Sequence, residues 1–200
     1  MRFRSLLLLL AASLAARGTT VQPPTFSELV AEADGIYRGR VTSVEARRIA
    51  APEAGSVIKT FVSFGVDRVI KGGAREEIVL EFLGGTVGNE TLDVGGMPHF
   101  SVGQREILFV QKNGVQFCPL VRLGHGRYRV ERDAGTQLDF VARDNRAPLT
   151  SVDEVNLPLE PAPMLGPMRA ARARNAPLST EAFEARIRGE LKAQANATLP

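Results

Sequence analysis

The sequence predicts a mainly β protein: a small antiparallel barrel, closed or nearly so, with a short helix ahead of it and an amphipathic helix behind. Three observations carry this prediction. From Gly35 to Val141 the apolar positions recur mostly every second residue rather than every third or fourth. Glycine, present 19 times in the chain, punctuates that stretch at turn-like intervals. A helical period occurs only in two short stretches, around Phe26 and around Phe183.

In chain order, the first segment stands apart. Arg2 and Arg4 precede an apolar run from Leu6 to Leu10 that continues to Ala16 and is followed by small residues, the build of a secretory signal peptide. The run is shorter than the roughly 20 residues a membrane-spanning helix needs, and no later segment supplies one. Residues 1–18 are therefore read as a signal peptide, and the mature chain is expected to be exported, periplasmic or secreted, with no transmembrane segment.

A helix is expected from Thr25, whose hydroxyl can cap while Glu28 reaches back to complete a capping box. Phe26, Leu29, Val30 and Ala33 form one apolar face, and Asp34 and Gly35 end the helix. Tyr37, Gly39 and Val41 then share one side of a strand, with Arg38 and Arg40 on the other. After a loop at Pro52 to Gly55, the even positions Ile58 to Val66 mark a long half-buried strand, and Gly65 within it predicts a bend or bulge. Ile78, Leu80 and Phe82 alternate in the next strand. Ile107 to Val110 is a continuous apolar run, as in a strand covered on both faces. Asn113 and Gly114 signal a hairpin turn, with Phe117 to Val121 returning along the previous strand. Tyr128 to Val130 and Leu138 to Val141 supply the last strands.

Residues 19–146 thus form the barrel domain. Residues 147–178, punctuated by prolines, read as a linker that buries little surface. A second helix is expected over residues 179–195, where Phe183, Ile187 and Leu191 recur every four residues among charged neighbours including Glu184 and Arg188. Such a helix either docks on the barrel or binds a partner.

Composition narrows the function classes. Of the 25 basic residues, Arg2, Arg4 and Arg17 fall in or beside the signal, leaving 22 against 22 acidic ones. The mature charge near zero, the absence of tryptophan and the core parity of most phenylalanines argue against nucleic acid as a partner. Cys118 is the sole cysteine, so no internal disulfide forms, and its apolar surroundings make it a buried small hydrophobe.

Several segments carry a likeness. Phe26 to Leu29, the run Ala33-Asp34-Gly35-Ile36-Tyr37-Arg38-Gly39-Arg40-Val41 and the run Val69-Ile70-Lys71-Gly72 resemble the opening of netrin-like domains, which include the tissue inhibitors of metalloproteinases. Gly84-Gly85, the run Gly96 to Gly103 and Ile107 to Val110 look like a group of exported bacterial proteins of mostly unassigned function. The resemblance covers residues 26 to about 122 and implies a five-stranded barrel of the oligonucleotide/oligosaccharide-binding type with helices outside. Tissue inhibitors chelate the protease zinc through an N-terminal Cys-x-Cys that this chain lacks, so that mode of inhibition does not carry over.

No catalytic signature accompanies the fold. A Ser-His-Asp or Cys-His centre would have to use His99 or His125, both beside turn residues and neither next to a Gly-x-Ser-x-Gly elbow. No standard zinc spacing is present, and Asp93, Asp133 and Asp139 read as scattered surface carboxylates, so neither metal nor cofactor is expected. The expectation is an exported, non-enzymatic binding module that recognises an extracytoplasmic protein or glycan through its loops. The stretch Gly84 to Gly103 is the candidate, with Gly84, Gly85, Met97, Pro98 and Phe100 as binding residues; a packed loop closing one barrel end is the competing reading. Two alternatives stand beside it: an envelope component anchored through the C-terminal tail, and a hydrolytic or metal-assisted enzyme using His99 or His125.

Overall fold

The computed structural model describes residues 21–51, 55–159 and 175–197. The signal-peptide reading falls outside them, as does the arginine-bearing part of the proline-rich stretch. Helix α1, Phe26–Glu32, starts as expected: the Glu28 amide donates to Thr25 Oγ1, and the Thr25 amide donates to the Glu28 carboxylate. Eight strands follow: β1 Gly35–Ala51, β2 Gly55–Lys71, β3 Glu77–Leu83, β4 Gly85–Val87, β5 Glu90–Leu92, β6 Arg105–Val110, β7 Arg127–Arg132 and β8 Asp139–Arg143. Helix α2, Thr180–Ala197, closes the order.

Six strands form one antiparallel sheet in the order β3-β2-β1-β6-β7-β8, while β4 and β5 pair as a separate hairpin. The ladder between β1 and β2 skips a residue three times, at Ile70, Asp67 and Thr42. The middle skip lies beside the bend expected at Gly65, where a Cβ on Gly39 would sit 1.9 Å from the Gly65 carbonyl oxygen. Only a strand pair with glycine at that crossing can approach so closely.

The sheet is covered on both faces. Ile36, Ile107, Phe109, Tyr128 and Val141 pack with Leu29 and Val30 of α1 and Phe183 and Ile187 of α2 in one core. Tyr37, Val62, Phe64, Leu80, Leu108 and Leu120 form a second core on the other face. The run Ile107 to Val110 alternates between the two, as a doubly covered strand should. Helix α2 therefore docks on its own domain. Its Glu184 is not a solvated flank, however: it is fully buried and ion-paired to Arg38 (2.8 Å), Arg68 (3.1 Å) and Arg188 (2.9 Å). Arg38 and Arg68 face each other across β1 and β2, and one carboxylate offsets both.

Three expectations need correction. No closed barrel is found, since among the described residues no ladder joins β3 to β8. Asn113 and Gly114 do not make a hairpin with a returning strand. Only one bridge, Val110 to Leu120, forms there, and the intervening loop lies along β3 instead. Asn113 imitates a peptide unit: its side-chain amide donates to the Val79 carbonyl (2.7 Å), and its side-chain oxygen accepts from the Glu81 amide (3.0 Å). Leu83 donates its amide to the Phe117 carbonyl in continuation. The described part of the proline-rich stretch also buries more than its composition suggests. Leu149 and Val155 are core residues, and Arg143 donates to the carbonyls of Leu157 and Pro158.

Candidate binding cleft

The path from β3 into the β4–β5 hairpin is set by two consecutive glycines. Gly84 and Gly85 have φ of +100° and +128°, a region that side-chain-bearing residues rarely adopt. A Cβ on Gly85 would lie 2.4 Å from Thr60 Oγ1 and 3.1 Å from Ala46 Cβ. The hairpin thus crosses the face of the β1–β2 ribbon at contact distance. It is fixed there by the Gly84 amide donating to the Ile58 carbonyl (2.8 Å) and the Thr60 hydroxyl donating to the Gly84 carbonyl (2.7 Å).

After β5 the chain turns at Val94, whose carbonyl accepts from the Met97 amide, and runs back across the sheet through Pro98, His99 and Phe100. Gly84, Gly85, Met97, Pro98 and Phe100 all come to line one cleft of about 80 Å³, with Val62, Phe82, Leu92 and Val94 completing apolar walls and Thr60, Asp93 and His99 supplying polar atoms. The sequence placed these five residues on one loop, and the fold brings them together. Their exposure differs from expectation: Pro98 and Gly84 are buried, Met97 and Phe100 half-buried against the second core. The Phe100 ring lies 5.2 Å from that of Phe82, and the Arg127 guanidinium stacks over it at 4.0 Å from the ring centroid. Phe100 is a wall of the cleft, not a free aromatic platform.

Arg127 is what holds that wall. It is fully buried, and its guanidinium donates to the His99 carbonyl (2.7 Å), Asp144 (2.9 Å), Gln104 Oε1 (3.0 Å) and the equally buried Glu106 (2.7 Å). Burial pushes the Glu106 carboxyl above its ordinary range, against the pull of Arg127. Burial and the Arg127 charge in turn lower the neighbouring Arg129. Sequence patterning missed this cluster, because Arg127 and Arg129 occupy the polar alternation of a strand whose two faces both turn out to be covered.

The histidines are not brought together. His99 stands at the cleft with an exposed side chain, whereas His125 is 6 % exposed, outside the cleft, in the core beside Arg143 and Val155. Desolvation pushes the His125 imidazole down to about 4, with Arg143 adding to it. Cys118 is buried and its thiol is pushed up to about 12 by burial, far from a reactive thiolate. Asp139 is held by Arg105 (2.5 and 2.9 Å) and Arg132 (2.9 Å), which keep its carboxyl well below the usual range. Asp133 spends its Oδ1 on the amides of Gly135 and Thr136. Among the described residues no three side chains of metal-ligating type converge, and no helix is long and apolar enough to cross a membrane. A scan of protein-family models gives no match to the chain, and a search of curated proteins gives none either.

Proposed function

We propose that the protein is an exported binding module whose cleft between the β4–β5 hairpin and the 93–100 loop receives an apolar side chain of an extracytoplasmic protein. The observation that carries this reading is the convergence of two separate glycine- and proline-bearing segments on one small apolar cleft. Its volume of about 80 Å³ decides the class of occupant. Sites for cofactors and small-molecule ligands run to roughly 300–1,000 Å³, and an engineered apolar cavity that holds benzene measures about 150 Å³. A cleft of this size suits a single apolar side chain, and its apolar walls suit that better than a sugar. Docking of α2 on the core favours this over an envelope anchor, because the helix's apolar face is already used.

The finer fold reading goes with it: a netrin-like barrel of the oligonucleotide/oligosaccharide-binding type, slit beside β3, with the 111–120 loop lying in the slit. The strand order and the Asn113 contacts support that reading.

The test is chemical crosslinking of the tagged chain in its native extracytoplasmic fraction, beside Leu92→Arg, which places a charge at the mouth of the cleft from a residue 36 % exposed. A protein captured by the parent and lost from the variant, with unchanged thermal unfolding, supports the proposal. Equal capture by both, or release of the captured protein by soluble glycan alone, removes the cleft as the protein-docking site.

A further inference from the structure

We propose that the chain pairs with a second copy of itself along the outer edge of β1, in an antiparallel two-fold ladder centred on Ala46. The two outermost strands of the sheet do not offer a free edge. The β3 edge is taken by Asn113 and by the Phe117 carbonyl. The β8 edge is taken by backbone bonds from Val141 to Leu178, from Leu149 to Val141 and from Arg143 to Ala147. β1 is different. It pairs with β6 only from Gly35 to Arg40, and Val41 adds one bond each with Gly103 and Gln104. Among the described residues, no backbone hydrogen bond reaches Thr42 to Ala51 from the side away from β2. The β4–β5 hairpin does not cover that edge, because Gly85 meets Ala46 and Thr60, which are register partners on one face of the ribbon.

An unpaired edge is a template for another strand, and proteins usually guard it with charges. Here the charges are mixed in sign: Glu45, Arg47 and Arg48. That mixture selects a register instead of blocking all of them. Antiparallel pairing of identical edges puts a two-fold axis through the sheet, so residues facing each other lie on the same side and one residue sits on the axis. With Glu45, Arg47 or Arg48 on the axis, like charges would oppose each other, which is unfavourable. With Val44 there, Arg47 would have to pair with Val41, whose backbone is already engaged. With Ala46 on the axis, Glu45 faces Arg47 of the second copy and Arg47 faces its Glu45, and the ladder runs the free edge from Thr42 to Ala50. In the single chain Glu45 and Arg47 already meet at 2.6 Å while each remains more than half exposed (57 % and 55 %). Exchanging that partner for its equivalent across the axis leaves no charge unpaired.

Sedimentation velocity over a concentration series tests this on the purified, processed chain. A monomer–dimer equilibrium is expected, weakened about tenfold or more by Glu45→Arg and by Arg47→Glu, since each sets like charges opposite one another twice. The double variant should restore it. An equimolar mixture of the two single variants should form a heterodimer that neither forms alone. In that heterodimer the two reversed charges face each other on one side of the axis as an opposite-sign pair, and the native pair remains on the other side. Thermal unfolding of each variant checks that the fold is kept. A chain that stays monomeric throughout, or a dimer indifferent to both charge reversals, overturns the proposal.

Discussion

At the scale of single residues, the buried imidazole of His125 sets a measurable pH dependence. In the unfolded chain it takes up a proton near its ordinary value of about 6.5, whereas in the fold burial delays uptake to about 4. The unfolded state therefore binds more protons across that window. Stability is fully present above pH 6.5 and is lost as pH falls toward 4, by roughly 3 kcal/mol from this group. Glu106 acts with the opposite sign, since a carboxyl raised by burial favours the fold as it becomes protonated. Urea unfolding of the parent and of His125→Gln at pH 7 and pH 4.5 separates the two, because only the His125 contribution is absent from the variant. The variant should show a clearly smaller acid-side loss; equal losses would mean that the imidazole titrates normally in the fold. The sequence could place His125 beside turn glycines but could not show it buried. Arg127 and Glu106 were less legible still. A charged residue alternating with Tyr128 or Ile107 reads as solvent-facing unless something covers the second face; Arg127 is covered by Phe100 and Gln104, more than 20 residues earlier in the chain, and Glu106 is met by Arg127 itself.

At the scale of elements, local chemistry and hydrophobic period carried most of the reading. The capping box of α1, the alternation of β2 and β3, the doubly buried β6 and the apolar stripe of α2 are all written in neighbouring residues. What escaped was decided by contacts without a local signature. Asn113 has the turn preference that suggested a hairpin, yet its amide serves the β3 edge. β4 and β5 are three residues each, too short to show a period. The glycines that lead into β4, Gly84 and Gly85, were visible but their purpose was not. Gly85 combines a φ of +128° with a Cβ position 2.4 Å from Thr60 Oγ1, so Gly85→Ala brings both backbone strain and overlap. A loss of about 1–3 kcal/mol is expected, read as a lower thermal midpoint together with faster amide exchange at Gly84 and through β4. An unchanged midpoint would show that the hairpin can lift away from the ribbon without cost.

At the scale of the whole molecule, the sheet acts as a partition between two cores, and one of those cores is incomplete without the end of the chain. Phe183 is fully buried, with its ring 4.9 Å from Tyr128, 6.1 Å from Phe26 and 6.3 Å from Phe109. It therefore links α2, α1 and the sheet in a single aromatic cluster. Burying Phe183 and Ile187 contributes about 1.5–3 kcal/mol each, to be set against a total stability of about 5–15 kcal/mol for an ordinary domain. Removing α2 also takes away Glu184 and leaves Arg38 facing Arg68 without their shared carboxylate. A chain ending before Ser179 should consequently lose cooperative unfolding, bind a hydrophobic dye and lose near-ultraviolet dichroism while keeping strand content. A tail that served only to tether a self-sufficient barrel would give the opposite result: a truncated chain that unfolds cooperatively near the parent's midpoint. That outcome would separate the helix from the domain and favour the alternative of an envelope component anchored through its tail.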